Sequence, residues 1–505
     1  MIGSASPRAG RREWVGLAVL ALPCAVYAMD LTVLNLALPA LSEDLQPTSA
    51  QLLWIVDIYG FMIAGSLITM GTLGDRIGRR RLLLIGAAAF GAASVIAAFS
   101  SSAEMLIATR ALLGVAGATV APSTLSLIRN MFLDQHERTV AIGVWVTSFS
   151  VGGAIGPLLG GVLLEYFPWG AVFLLAVPVM LLLLVVGPIL LPEFKPPDAG
   201  RLDLVSAGLS LAAVLLVIYG LKQFAQDGPG WRPLLSVVAG LGVGRVFVLR
   251  QRSLPDPLID LGLFQSPAFS LSLATYTLGT LVAFGSYIFM AQYLQLVLGL
   301  PPLKAGLATV PSMLAFVVGS LVVPLLARRF RPAYLMGAGM IVAAAGFLLL
   351  SRISAIGGLP LLIAGSITYS IGIAPVVILA TDLIVGSAPP ERAGAASAIS
   401  ETGAELGGAL GIAIFGSIGT AVYRMTMGKV ATGDVPPAEM ETARSTLGGA
   451  ITVAQQLPGA AGSELLTTAR EAFTDAFQLT AALSAVVALG TAIGATLLLR
   501  GERQA

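Results

Sequence analysis

Charged side chains are scarce. Asp, Glu, Lys and Arg make up 11% of the 505 residues, while hydrophobic residues make up 56%. Soluble domains carry roughly 25% charged residues, so a water-soluble fold is excluded. The single cysteine, Cys24, rules out a disulfide framework and a thiolate metal cluster. It follows Pro23 inside an apolar run, a poor lipoprotein cleavage site, and reads as lipid-facing or packed. The single histidine, His136, leaves a histidine metal centre or Ser-His-Asp chemistry almost nothing to work with. No metal and no cofactor are therefore expected. A net charge of +2 gives no basic field for nucleic acid. No phosphate-binding P-loop occurs, which argues against ATP as the energy source. Lysines number four (Lys195, Lys222, Lys304, Lys429) and asparagines two (Asn35, Asn130). The basic residues are thus almost all arginine, a bias that reads as a GC-rich bacterial genome.

What the chain has instead is long apolar runs. A helix needs roughly 20 apolar residues to cross a bilayer. About fourteen such runs occur, centred near Val26, Met62, Ala92, Ala116, Gly152, Leu181, Ala212, Ala239, Phe284, Phe316, Val342, Thr368, Gly411 and Val486. The first follows Arg8, Arg11 and Arg12 and extends from Trp14 to near Leu41, too long for the core of a signal peptide. Placing the N-terminus in the cytoplasm puts most of the basic residues inside, including Arg76, Arg79, Arg80, Arg81, Arg129, Arg138, Arg328 and Arg392. Lys222, Arg232, Lys304, Arg352, Arg424, Lys429, Arg444 and Arg470 then fall in outside segments. Both termini are expected in the cytoplasm. The longest non-membrane stretch, 425–473, is expected outside. It reads as a solvated loop or as a lid, with segments 437–456 and 462–474 as candidate short amphipathic helices.

Ionisable residues inside a span cost at least about 2.5–3.5 kcal/mol and usually face a cavity or a partner. Asp30, Asp57, Arg110, Glu401 and Glu405 qualify; Asp382, near a helix end, is a weaker case. At about 1.5 Å rise per residue, Asp30, Asp57 and Arg110 fall at similar depth in the outer half. Glu405 lies one turn from Glu401 on the same face. Burial disfavours an ionised carboxylate and a nearby cation favours it, so a proton and a cationic solute can compete for one such group. Two roles are open to Arg110: a partner of Asp30 or Asp57 released on protonation, or a fixed salt bridge holding the first, second and fourth runs together. The carboxylates carry the same two alternatives.

Between the second and third runs stands Gly71-Thr-Leu-Gly-Asp75-Arg76-Ile-Gly78-Arg79-Arg80-Arg81, a glycine turn with one acid and clustered bases. The fifth run carries Gly152-Gly153-Ala-Ile-Gly156-Pro157-Leu-Leu-Gly160-Gly161, where small residues permit close helix approach. The fourth carries Arg110-Ala-Leu-Leu-Gly114. The first reads Met29-Asp30-Leu-Thr32-Val-Leu-Asn35, the second Trp54-Ile-Val-Asp57-Ile-Tyr59. The thirteenth reads Ser400-Glu401-Thr402-Gly-Ala-Glu405-Leu406-Gly407.

Together, in this order and over nearly the whole chain, these motifs resemble the fourteen-helix drug:proton antiporter family of the major facilitator superfamily. They are most similar to its quaternary-ammonium-compound and multidrug exporters of actinobacterial type. The resemblance implies an all-α polytopic membrane protein with the major facilitator fold. Fourteen transmembrane helices would form two six-helix bundles, 13–191 and 267–499, flanking a two-helix insert, 203–250. In the family the loop acid and bases form contacts that hold one conformer and break in the other, and the fifth-helix motif marks exporters. Gly71, Asp75, Arg76, Gly78, Arg79, Arg80, Gly152, Gly156, Pro157 and Gly160 are accordingly expected to act in conformational change. Many relatives have a second acid at the position of Ser400 and a glutamine at that of Leu113; this chain departs from both.

Proton coupling is expected of Asp30, Glu401, Glu405 and Arg110. Substrate contact is expected of Asp57, Trp54, Tyr59, Asn35, Trp145, Phe149 and Tyr287, since aromatic faces attract cations; single membrane aromatics otherwise face lipid or pack. The implied function is proton-coupled efflux of hydrophobic, mainly cationic drugs by a monomer in the bacterial cytoplasmic membrane. The alternatives are a dedicated exporter of a self-made antibiotic or other metabolite, a proton-coupled uptake carrier, and an intramembrane enzyme. The exporter motif opposes the uptake carrier, and the absence of a nucleophile–base pair or metal cluster opposes the enzyme.

Overall fold

A computed structural model describes residues 8–47, 49–195, 203–227, 230–254, 257–389, 392–429, 437–457 and 460–499. Among them fourteen helices are long and apolar enough to cross a membrane. They are α1 (Arg11–Leu45), α2 (Ser49–Ile77), α3 (Arg79–Ala98), α4 (Ala103–Met131), α5 (Gln135–Tyr166), α6 (Ala171–Leu190) and α7 (Leu204–Asp227). There follow α8 (Trp231–Ser253), α9 (Pro267–Val297), α10 (Pro302–Ala327), α11 (Pro332–Leu350), α12 (Leu359–Ser387), α13 (Ala393–Gly428) and α14 (Ala460–Leu498). An even number of crossings puts both chain ends on one side, here called the terminal end.

Local chemistry sets the helix starts. Ser102 accepts a hydrogen bond from the Met105 amide before α4, and Asp134 accepts one from Glu137 before α5. Between α2 and α3 the chain turns at Gly78, whose φ of +110° suits glycine. A Cβ there would also lie 2.6 Å from Glu193 Oε1, the carboxylate that accepts from the first amides of α3. The α4 helix is interrupted at Ala118–Thr119, just before Pro122.

Helix pairings repeat along the chain. The contacts α1–α5, α2–α4, α3–α4 and α3–α6 recur as α9–α13, α10–α12, α11–α12 and α11–α14. The offset is eight helices, six for the repeat and two for α7–α8. Glycine marks corresponding crossings: a Cβ on Gly152 would lie 2.0 Å from the Ala25 carbonyl oxygen, and one on Gly411 would lie 2.1 Å from that of Leu281. The α7–α8 pair packs on itself and wedges against α2 and α13. The other side of α8 exposes Trp231, Leu234, Leu235, Val238, Leu241, Val246 and Leu249, an apolar face suited to lipid.

The far loop differs from expectation. Helix α13 continues to Gly428 and α14 starts at Ala460, so segment 462–474 is the first part of α14 and not a separate short helix. At 36 and 39 residues, α13 and α14 exceed the roughly 20 needed to span, and their excess continues the helices beyond the membrane. Two short helices, Pro437–Ser445 and Leu447–Gln456, pack there. The Tyr423 hydroxyl donates to the Ala443 carbonyl at 2.9 Å, fastening them to α13.

Candidate functional site

Asp30 and Arg110 of the first bundle form one buried cluster. Arg110, 1% exposed, pairs with Asp30 and not with Asp57. Its Nε donates to the Ile55 carbonyl at 3.2 Å, and its guanidinium carbon sits 4.6 Å from the Tyr59 ring centre. Tyr59 is fully buried and its hydroxyl donates to the Tyr27 carbonyl at 3.3 Å. In this conformation Tyr59 thus supports Arg110 within α1, α2 and α4. Trp145 is buried too, with Nε1 donating to Thr124 Oγ1 at 2.8 Å. Phe149 packs edge-on against both Trp145 and Tyr27, at ring distances of 4.8 and 5.5 Å. Cys24 is packed, its sulfur 3.6 Å from Thr124 Oγ1.

Asp57 lies on a different face of α2. Trp54, Asp57 and Phe61 share one stripe of that helix and meet the insert. Asp57 forms an ion pair with Lys222 of α7, whose Nζ also sits 4.6 Å over the Phe61 ring. Lys222 therefore belongs to a helix and not to an outside loop, a correction to the sequence reading. Below it, Phe61 and Ala64 pack with Ile218, Leu215 and Ala409, joining α2, α7 and α13. Trp54 is exposed and touches Phe61 edge-on at 6.1 Å.

On α13, Glu401 and Glu405 lie toward the space between the bundles. Both are within electrostatic reach of Tyr27 on α1 and Tyr276 on α9, and Glu405 reaches Lys222 as well. Among the described residues neither forms an ion pair, and Glu401 Oε1 has no hydrogen-bond partner. Glu405 is exposed, as are Phe284 and Tyr287 of α9. The side chains of Asn35 and Pro157 lie outside the described ones.

The terminal end is closed by polar contacts between the bundles. Asp75 pairs with Arg79 and accepts from the Gly394 and Ala395 amides, at 3.4 and 3.1 Å, where α13 begins. An anion at a helix N-terminus satisfies its unpaired amides and suits its dipole. Arg79 is wholly buried and donates to the Gly71 carbonyl at 2.8 Å. Gly71 admits α13 closely: a Cβ there would lie 2.5 Å from the Gly394 carbonyl oxygen. Across the same end, Arg138 of α5 pairs with Asp382 of α12 at 2.7 Å, and Thr139 donates to Asp382 at 2.8 Å. Arg328 Nε reaches His136 at 2.6 Å. Arg76 is buried, whereas Arg80 runs along α6, donating to the Pro188 and Leu191 carbonyls at 3.1 and 3.0 Å. In the fifth-helix motif Gly152 and Gly156 face α1. A Cβ added to Gly156 would lie 2.4 Å from Thr32 Oγ1, and Gly160 is buried.

Sequence reasoning missed Lys222, Tyr27, Tyr276 and the Arg138–Asp382 pair as parts of this arrangement. Arg138 and Asp382 stood out as a loop base and a weakly placed acid. Nothing local links positions 244 residues apart.

Comparison with known proteins bears on the family and the fold. The profile of the Major Facilitator Superfamily matches residues 20–412. The chain is 44% identical to the multidrug efflux pump LfrA of Mycolicibacterium smegmatis, over 96% of each chain. It is 36% identical to the methyl viologen resistance protein SmvA of Salmonella typhimurium, covering 92% of this chain and 93% of that one. It is 31% identical to the tetracenomycin C resistance and export protein of Streptomyces glaucescens, covering 95% and 90%. Among solved structures, the human organic anion transporter MFSD10 superposes with a TM-score of 0.61 at 16% identity, covering 94% of this chain and 99% of that one. A bacterial homologue of the lysosomal transporter Spinster, inward-facing, gives 0.57 at 17% identity, covering 98% and 99%. At these identities the structural likeness concerns the fold alone.

Proposed function

The chain belongs to the Major Facilitator Superfamily, and we propose that it exports hydrophobic, mainly cationic drugs and dyes in exchange for protons. The observation that carries this reading is the pair Glu401 and Glu405. Two carboxylates one turn apart, neither in an ion pair among the described residues, stand within electrostatic reach of a tyrosine of each bundle, Tyr27 and Tyr276. That is the chemistry of a site that takes either a proton or an organic cation. The relatives named for multidrug efflux and for resistance to methyl viologen, an aromatic dication, support the substrate class.

In this scheme the termini are cytoplasmic, on the arginine bias, and the protein works as a monomer in the cytoplasmic membrane, with the proton gradient as its energy source. The described conformation then faces outward. Protons enter from outside, neutralise the acid pair and release the bound cation. The Asp75 and Asp382 contacts part, the bundles open inward, and the lower proton activity empties the carboxylates for the next cation. Asp30 and Arg110 are the second proton-linked pair in this scheme. The alternative of a dedicated exporter of a self-made antibiotic draws on the tetracenomycin C relative.

The test is ethidium movement in membrane vesicles under an imposed proton gradient, with wild type compared to Glu401→Gln, Asp30→Asn and Asp57→Asn. Gradient-dependent transport lost in Glu401→Gln is expected. Absence of any ethidium transport by an inserted wild-type protein would turn the reading toward a dedicated metabolite exporter.

A further inference from the structure

Deepening that reading, and resting on it, a second cation site emerges at the seam of α2, α7 and α13. We propose that Lys222 is a tethered cation occupying an organic-cation site built from Asp57 and the Phe61 ring, and that an organic cation binds there by displacing it. An ammonium paired with a carboxylate and placed over an aromatic face uses the same two contacts that hold a quaternary or aromatic cation. Lys222 makes both at once, with Asp57 and with Phe61 at 4.6 Å.

The contrast with Asp30–Arg110 shows which pair can exchange. There the side chains are 1% and 7% exposed, and Arg110 is held additionally by Ile55 and Tyr59. At the seam Lys222 and Asp57 are 35% and 22% exposed. A solute can reach that carboxylate, and a lysine on a flexible stem can leave it. A released Lys222 also has somewhere to go: Glu405, one turn before Ala409 on α13, is already within its electrostatic reach. Lys222 thus lies between a carboxylate of the first bundle and one of the second. The insert helix that carries it is fastened independently, by the Phe61–Ile218 packing and, at the terminal end, through α8, where Gln251 accepts from the Leu258 amide at 2.7 Å and Thr72 of α2 donates to the Leu258 carbonyl at 2.8 Å. Displacing the lysine head therefore does not require the insert to leave. In these terms the insert sets selectivity, because a solute must outcompete a built-in ammonium to gain Asp57. Flat aromatic cations with delocalised charge, weakly hydrated and able to stack on Phe61 and Trp54, are favoured over small ammonium ions.

The test measures equilibrium binding of ethidium, and of the uncharged dye Nile red, to the purified full-length protein. Wild type is compared with Lys222→Met, Lys222→Arg and the double variant Asp57→Asn/Lys222→Met. Lys222→Met is expected to bind ethidium on the order of tenfold more tightly, the equivalent of about 1.4 kcal/mol, with Nile red unchanged. Lys222→Arg keeps wild-type affinity for both dyes, and the double variant loses the gain. Unchanged ethidium affinity in Lys222→Met, or an equal change for both dyes, overturns the inference while leaving the export reading intact. Failure of Lys222→Arg to retain wild-type binding points to a structural clip and overturns it as well. Absence of ethidium binding by every variant, wild type included, refutes the export reading and this inference together.

Discussion

Neutralising Asp75 is expected to open the terminal end. Its carboxylate pairs with Arg79 and accepts from two amides of the other bundle, Gly394 and Ala395. A hydrogen bond to a charged group is worth about 1.5–3 kcal/mol, and an anion at a partly buried helix N-terminus up to ~2 kcal/mol. These overlap, because the same amides supply both. Asp75→Asn retains an acceptor oxygen and loses the charge, so the loss is about 2 kcal/mol, a factor of up to roughly 30 in the equilibrium between closed and open terminal ends. Spin labels on cysteines replacing Leu133 and Phe330, both exposed and on opposite bundles, report the separation by pulsed dipolar spectroscopy. The buried Cys24 is replaced by serine. The population with a longer label distance, relative to the short one, is expected to rise about thirtyfold. Gly394→Ala is expected to act in the same direction, since its Cβ would strike the Arg79 guanidinium. A folded Asp75→Asn protein whose ratio moves less than about fivefold would refute the latch, because that corresponds to under about 1 kcal/mol.

Asp382 closes the same end through Arg138 and Thr139 without sharing a partner with Asp75. The opening caused by Asp75→Asn and Asp382→Asn should therefore add in free energy to within about 0.5 kcal/mol, which the same distance measurement checks. Arg110→Met leaves Asp30 buried without its cation, and thermal unfolding in detergent should register a loss of about 3–5 kcal/mol, partly recovered in Asp30→Asn/Arg110→Met. If the double variant is no more stable than Arg110→Met, the two residues do not act as a pair. In the fifth-helix motif, Gly152→Ala drives a Cβ into the Ala25 backbone and should abolish folded yield, whereas Gly153→Ala, with nothing within 4 Å of its Cβ, should be neutral. Equal behaviour of the two in size-exclusion profiles would contradict the close α1–α5 crossing.

The parts of this molecule legible in its sequence are those that depend on one helix or one loop. Span positions follow from apolar length, because lipid forces each crossing to satisfy its own backbone. Asp30 and Arg110 announce themselves because an unpaired charge in a span is costly. Partner choice is different in kind. Arg110 has two acids at matching depth, and depth alone cannot separate them; the azimuth of Asp57 on α2 sends it to the insert, while the direction of Arg110 on α4 sends it to Asp30. Lys222 reads as a loop residue because it lies one turn or so from the helix end, where a lysine stem ordinarily reaches water. Its stem instead reaches back across the seam to α2, where the packing of Ile218 and Leu215 on Phe61 and Ala64 turns that face of α7 inward. The seam itself exists because two helices are added between bundles whose own pairings repeat without them. A position created by that addition has no counterpart in the six-helix repeat, so no motif of the bundles could point to it. Among the described residues, the lysine that the insert brings there sits on Asp57, the acid of α2 that the bundle itself leaves unpaired.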